Sequence, residues 1–288
     1  MQQFNLLLTS LPDGILLGFV YGVAAMGLTL IWGVMNVINL SHGPIIALGM
    51  FGTFILFINM GVNPYIGLLL IAALGLLLGI LIYFVAVHRV INAPHLSSLL
   101  ATFSVNMIII GIGTATFTTS PYNVDFNMGS FQLGATTILG TRLIAALISI
   151  SFTAGLYLFL YRTRPGKFIR AVTNNRAAAE LMGIPSTRIL ALSFGLGTML
   201  AAVSGALIAT FFPFSILSGS SYELKSFVIG VLGGLGNPIG ALFGGLILGV
   251  LEGIVPAFLN TSWVPVIEFG LFVVILLIRP NGLFGAKQ

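Results

Sequence analysis

Apolar runs of membrane-crossing length recur along the 288-residue chain, and short polar breaks separate them. The runs cover about 14–34, 45–58, 65–87, 96–117, 141–160, 189–212, 223–235, 238–256 and 263–278. The pattern predicts an all-α polytopic membrane protein with eight or nine membrane segments, read as one transmembrane unit over 1–288. Two stretches interrupt the regularity. NVINLSHGP, 36–44, sets Asn36, Asn39, Ser41 and His42 between two apolar runs, and Pro44 disfavours helical backbone at Gly43. Unpaired backbone at such depth must be buried in protein or line a cavity, so we expect a broken corner there. The Gly-rich stretch 227–253 is divided by GNP at 236–238, which predicts two shorter segments. Nine segments put four before span five and four after it, starting from opposite sides, which is the parity an inverted repeat requires; a count of eight makes one segment re-entrant. Gly18 and Gly22 on the first span, and Gly245, Gly249 and Gly253 near the end, recur every four residues and offer smooth helix faces.

The longest polar run is Arg162 to Arg188, which carries six of the eleven Lys and Arg residues. Basic loops beside membrane spans stay on the cytoplasmic side, so this run sets the orientation expected for the chain. His88 with Arg89, and Arg279 with Lys287, fall on that same side; the GVNP turn at 61–64 and the stretch 118–140 fall outside, with the N-terminus. Within the basic run, Asn174 or Asn175 can cap a helix over Arg176–Met182, Gly183 can close it in a left-handed turn, and Pro185 stops it. Ala178, Leu181 and Met182 then share one face. The helix is either a docking knob for a soluble partner or one helical turn in a solvated loop. Whether the chain continues span five through Arg162–Lys167 or bends at Pro165 stays open.

Composition narrows the chemistry. The chain is 58% hydrophobic and 6% charged, against about a quarter charged in soluble domains. The net charge of +5 sits mainly in loops and is read as topology, with no nucleic-acid partner. There is no cysteine, which excludes a disulfide framework and a thiolate metal site. MQQFNLLLTSLPDG lacks a basic leader region, so no cleaved signal is expected. No HExxH, Walker A or GxSxG motif occurs, and the acids form no close pair in sequence. No enzymatic activity, metal or bound cofactor is expected. Glu252 and Glu268 lie within membrane segments, where ionisable groups point to function by default. Thr102 and Asn106 share a face of span four. The candidate pathway set is therefore Asn36, Asn39, Ser41, His42, Thr102, Asn106 and Glu252; the alternatives are that the first four satisfy broken-helix backbone, that Thr102 and Asn106 cross-link helices, and that Glu252 reaches the interface or accepts backbone or Ser/Asn hydrogen bonds.

Five blocks in order carry a family resemblance: GLTLIWGVMNVINLSHG at 27–43, LLATFSVN at 99–106, the stretch from RAV to LMGI at 170–184, VLGGLGNPIGALFGGLILGVLE at 231–252 and RPNGLFG at 279–285. The chain resembles LivH-type permeases of branched-chain amino acid ABC importers, from about 14 to 285. The resemblance implies a half-pore that pairs with a second, LivM-like permease in a bacterial-type inner membrane. Two cytosolic ATPases, holding ATP and Mg, would drive it, and a periplasmic binding protein would deliver the cargo. It further implies that Arg170, Asn175, Arg176, Ala178, Ala179, Glu180, Leu181, Met182 and Gly183 form a coupling surface. One position departs from the family: residues 177–179 are Ala-Ala-Ala where an acid usually precedes two alanines, and the acid comes later, at Glu180. Relatives of this type also move urea, amides and other small polar solutes. A rival from another class is an ion-coupled secondary transporter, since broken helices and lone membrane acids occur there too.

Overall fold

The computed structural model describes residues 2–133 and 136–285. Lys287, expected on the basic side, lies outside the described residues. Eleven α-helices carry the chain: α1 (Gln2–Met35), α2 (His42–Met60), α3 (Pro64–Ile82), α4 (His95–Phe117), α5 (Gly140–Arg162), α6 (Arg164–Asn174), α7 (Arg176–Leu181), α8 (Ser186–Ile208), α9 (Ser218–Gly233), α10 (Pro238–Phe258) and α11 (Val264–Ile278). Eight of these, with short extensions, are long and apolar enough to cross a membrane: α1 to α5, α8, α10 and α11. The protein is thus an all-α polytopic membrane protein. Outward-facing leucine and isoleucine on α3, α4 and α11, such as Leu69, Ile112 and Leu277, are what a lipid-facing surface requires. A small β-hairpin, β1 (Ser130–Leu133) with β2 (Thr136–Leu139), lies in the 118–140 stretch.

The contacts define two ends. At the basic end, Arg176 Nη1 donates to Asn92 Oδ1 at 3.2 Å, joining the α6–α7 segment to the α3–α4 loop. At the opposite end, Tyr65 Oη donates to the Thr141 carbonyl at 2.8 Å, joining the start of α3 to the start of α5. An aromatic cluster lies toward that end: Phe51 stacks on Phe117 at 4.2 Å, with Tyr122 and Phe214 edge-on at 5.3 and 5.1 Å.

The helices before and after α5 repeat one set of packing relations in reverse direction. Helix α1 lies longest against α10, and α8 lies longest against α3. Both seams are built on small residues. Gly14, Gly18 and Gly22 of α1 meet Gly253, Gly249 and Gly245 of α10 backbone to backbone. On the other seam Gly75 and Gly79 of α3 meet Gly195, Thr198 and Ala202 of α8. Helix α2 packs on α8 as α9 packs on α1, and α4 leans on α2 as α11 leans on α9. The parity expected from the sequence is therefore accompanied by matching contacts.

Each half is interrupted once. After α1 the chain leaves helical geometry at Asn36, with φ 52°, and resumes at His42. The His42 side chain reaches the carbonyl of Ala24, which lies roughly 16 Å back along α1 from its end at 1.5 Å per residue, so 36–41 doubles back beside α1. Pro44 does not keep Gly43 out of the helix as its sequence position predicts: α2 already begins at His42, because Gly43 has no Cβ to clash with the proline ring and a proline in the first turn needs no amide donor. In the second half the chain turns back after α8, and α9, 16 residues long, runs from that interruption to the basic end. The two breaks meet. A Cβ at Gly43 would stand 2.6 Å from the Gly219 carbonyl and 2.6 Å from Glu223 Oε2. The Gly43 amide donates to the Glu223 carboxylate, which sits at the positive end of α2.

Candidate functional site

The polar residues read as pathway candidates separate into two places. Six of the seven surround the 36–41 break. Thr102 Oγ1 donates to the Ile38 carbonyl at 3.0 Å and accepts from the Leu40 amide at 3.2 Å. One turn further along α4, Asn106 Nδ2 donates to the Leu40 carbonyl at 2.7 Å. Asn39 Oδ1 accepts from the Ser41 amide at 3.1 Å and from its hydroxyl at 2.6 Å. His42 is fully buried and donates through Nε2 to the Ala24 carbonyl at 3.0 Å. Thr102, Asn106 and Asn39 supply hydrogen bonds to backbone that a continuous helix would have satisfied itself, while His42 ties the start of α2 to α1. Asn36 is the exception; it is exposed and borders a 440 Å³ recess with Trp32, Ile38 and His95.

The seventh, Glu252, is elsewhere. It lines a 740 Å³ vestibule at the opposite end, walled by α1, α5, α9, α10 and the start of α11. That volume lies within the range of about 300–1,000 Å³ typical of small-molecule sites. Lys225 of α9 is its centre: the ammonium pairs with Glu252 and lies 3.8 Å from Glu268 Oε1. It also sits 5.0 Å from the centroid of the Tyr21 ring. Across the vestibule, Arg142 Nη1 donates to Asp13 Oδ2 at 2.6 Å, and its guanidinium lies 5.4 Å from the Phe212 ring centroid. Leu17, Phe212, Pro256 and Val264 form apolar wall. Charges are costly at such depth unless paired, and here each cation stands beside at least one carboxylate.

Sequence reasoning identified Glu252 and Glu268 but not the groups that complete the cluster. Lys225 carried a usable signal, since it is the only Lys or Arg between Arg188 and Arg279. Two membrane acids with one cation within the same third of the chain need that cation. Arg142 and Asp13 are 129 residues apart, and no spacing rule joins them.

At the basic end the coupling candidates form a compact unit. Thr163 is extended, so α5 ends at Arg162 and the chain restarts as α6 with Pro165 in its first turn. Helix α6 turns Gly166, Ile169 and Val172 inward. Asn175 caps α7 by accepting from the Ala178 amide at 3.0 Å, and Gly183, at φ 80°, closes it. Arg176 pairs with Glu180 at 3.1 Å, one turn on. Arg170 is held within the fold: its guanidinium covers the Tyr161 ring at 4.4 Å and Nε donates to the Leu160 carbonyl at 3.2 Å. Ala179, grouped with the docking surface on sequence, is buried and faces inward. Ala178, Leu181 and Met182 face solvent, with Leu181 90% and Met182 82% exposed.

Broken helices packed in two reversed halves, a charged vestibule at one end and a pinned helix at the other define a polytopic membrane permease. The chain belongs to the family described as "Branched-chain amino acid transport system / permease component", whose profile matches residues 10–276. It is 29% identical to the high-affinity branched-chain amino acid transport system permease protein LivH of Salmonella typhimurium strain LT2, over all of this chain and 98% of that protein. It is 29% identical to the corresponding protein BraD of Pseudomonas aeruginosa, over 98% of this chain and 96% of the relative. The ribose import permease protein RbsC of Escherichia coli K12 is 30% identical over 81% of this chain and 73% of its own length. No solved structure matches the chain.

Proposed function

We propose that the chain, as a single permease domain, is one membrane subunit of an ATP-driven ABC importer for branched-chain or related small amino acids. The observation that carries this reading is α7: a capped helix, pinned by Arg176 to Asn92, that holds Leu181 and Met182 out into solvent at the basic end. Large apolar side chains on a short, rigid, basic-flanked knob are what docking into a groove of a soluble subunit requires. The soluble partners are two cytosolic ATPases that hold ATP and Mg; the membrane partner is a LivM-like permease, and a periplasmic binding protein brings the cargo. The basic end then faces the cytoplasm, with the C-terminus, and the vestibule faces the binding protein. ATP binding draws the ATPases together, α7 moves with them, and α6 passes the movement to α8, on which it packs. This chain binds no nucleotide in that scheme.

The full-length relatives are named for branched-chain amino acid transport, which favours that cargo. A ribose permease at similar identity means that the fold alone does not select it. At the vestibule, pairing disfavours the ion-coupled alternative, since Glu252 and Glu268 both stand beside Lys225; Glu223, with no ion pair among the described residues, is the acid such a carrier would have to use.

The test is affinity isolation of the tagged chain from its native membrane in mild detergent, with mass spectrometry of what accompanies it. A second permease and ATPase subunits are expected. L181D with M182D together should lose the ATPases while the second permease is retained. Recovery of the chain alone, active under an ion gradient after reconstitution, would overturn the proposal.

A further inference from the structure

The vestibule is lined by two cations, Arg142 and Lys225, and two carboxylates, Asp13 and Glu252, with Glu268 buried behind Lys225. They form two separate clusters of mixed sign, with apolar wall from Leu17, Phe212, Pro256 and Val264. Asp13 Oδ1 and Arg142 Nε are buried and have no hydrogen-bond partner among the described residues. Buried polar atoms are normally satisfied, so the Asp13–Arg142 pair does not exhaust the bonding capacity of its two groups. A simple anion would meet two carboxylates here, and a simple cation two fixed positive charges. A ligand with one charge of each sign and an apolar body meets complementary groups at both clusters and against the wall.

Resting on the function proposed above, we propose that this vestibule is a transit site for a free amino-acid zwitterion. Arg142 and Lys225 are the partners on offer to the α-carboxylate, Asp13 and Glu252 those on offer to the α-ammonium, and the aliphatic side chain lies on the apolar wall. Each new contact replaces part of an existing ion pair, so entry exchanges partners and creates no deep well. Shallow binding is what a transport route needs, because the solute must leave as readily as it enters.

The experiment uses the assembled transporter, isolated through this chain and reconstituted in liposomes, with photo-leucine as the probe. After illumination, label is expected on peptides that span 9–21, 213–225 or 252–265. Free leucine should suppress it; leucinamide, which lacks the carboxylate, and N-acetylleucine, which lacks the ammonium, should suppress it about tenfold less well. The D13N/R142Q double variant removes both partners of one pair and leaves no orphan charge; where it assembles, label should fall by a similar factor. Label outside these peptides, or equal suppression by all three competitors, overturns the zwitterion site. Leucine uptake by the wild-type liposomes without vestibule label sinks this site and leaves the permease function standing. Wild-type liposomes with ATPases and binding protein that take up no leucine sink both.

Discussion

Thr102 and Asn106 sit one turn apart on α4, and both side chains reach across to the backbone of the 36–41 break. At that depth a carbonyl or amide has no water to turn to, so each such bond is worth more than it would be on a soluble surface. Thr102→Val keeps the shape and removes two bonds, to Ile38 and from Leu40. A cost of about 1–3 kcal/mol is expected, seen as a lower Tm of the detergent-solubilised protein, with Thr102→Ser close to wild type. An unchanged Tm for Thr102→Val would show that the break does not depend on Thr102. The sequence displayed these polar residues and their helical spacing, and it left a route and a helix cross-link as alternatives for them. It could not decide, because the deciding fact is which backbone atoms lie 62 to 66 residues away. Glu252 differs from the rest because its partner is another charged side chain, Lys225, and not a broken helix.

The helices themselves are joined by glycine. A Cβ at Gly249 would stand 2.6 Å from the Gly18 Cα, and one at Gly245 would stand 2.6 Å from the Gly22 Cα. Such distances cannot be relieved by rotating a side chain, since the obstacle is backbone. Gly249→Val should therefore force α1 and α10 apart and cost roughly 1–3 kcal/mol or more, read as loss of monodisperse protein on size-exclusion chromatography. Gly111 and Gly155 are the internal controls: nothing lies within 4 Å of their added Cβ, so Gly→Ala there should be neutral or stabilising by about 0.5–1 kcal/mol. Equal behaviour at Gly249 and Gly111 would contradict the seam. The four-residue spacing of both glycine rows was legible from the sequence, as were the caps of α7. That the two rows face each other was not, because a small-residue stripe names no partner. The second seam, Gly75 and Gly79 against α8, escaped notice because α8 contributes Thr198 and Ala202 in place of a glycine row.

At the scale of the molecule, the reversed halves give the chain its sidedness. Each half contains a break that returns part-way through, and the breaks meet at Gly43 and Gly219. The ends that remain differ in charge. Arg162, Arg164, Lys167, Arg170, Arg176 and Arg188 gather at one end, while Asp13, Glu252 and Glu268 lie at the other with Arg142 and Lys225. Arg142 sits at the end that the positive-inside rule reserves for few cations, and Asp13 neutralises it at 2.6 Å. The orientation follows if the basic end is cytoplasmic, and the absence of native cysteine makes it directly measurable. Thr261 is exposed beside the vestibule end, and Leu181 projects from α7. In intact cells a membrane-impermeant maleimide should label Thr261→Cys and leave Leu181→Cys untouched. In inverted vesicles the pattern should reverse, with assembled ATPases shielding Leu181→Cys until they are stripped from the membrane. Leu181→Cys labelled from outside the cell would invert the whole arrangement, and with it the sides assigned to the ATPases and the binding protein.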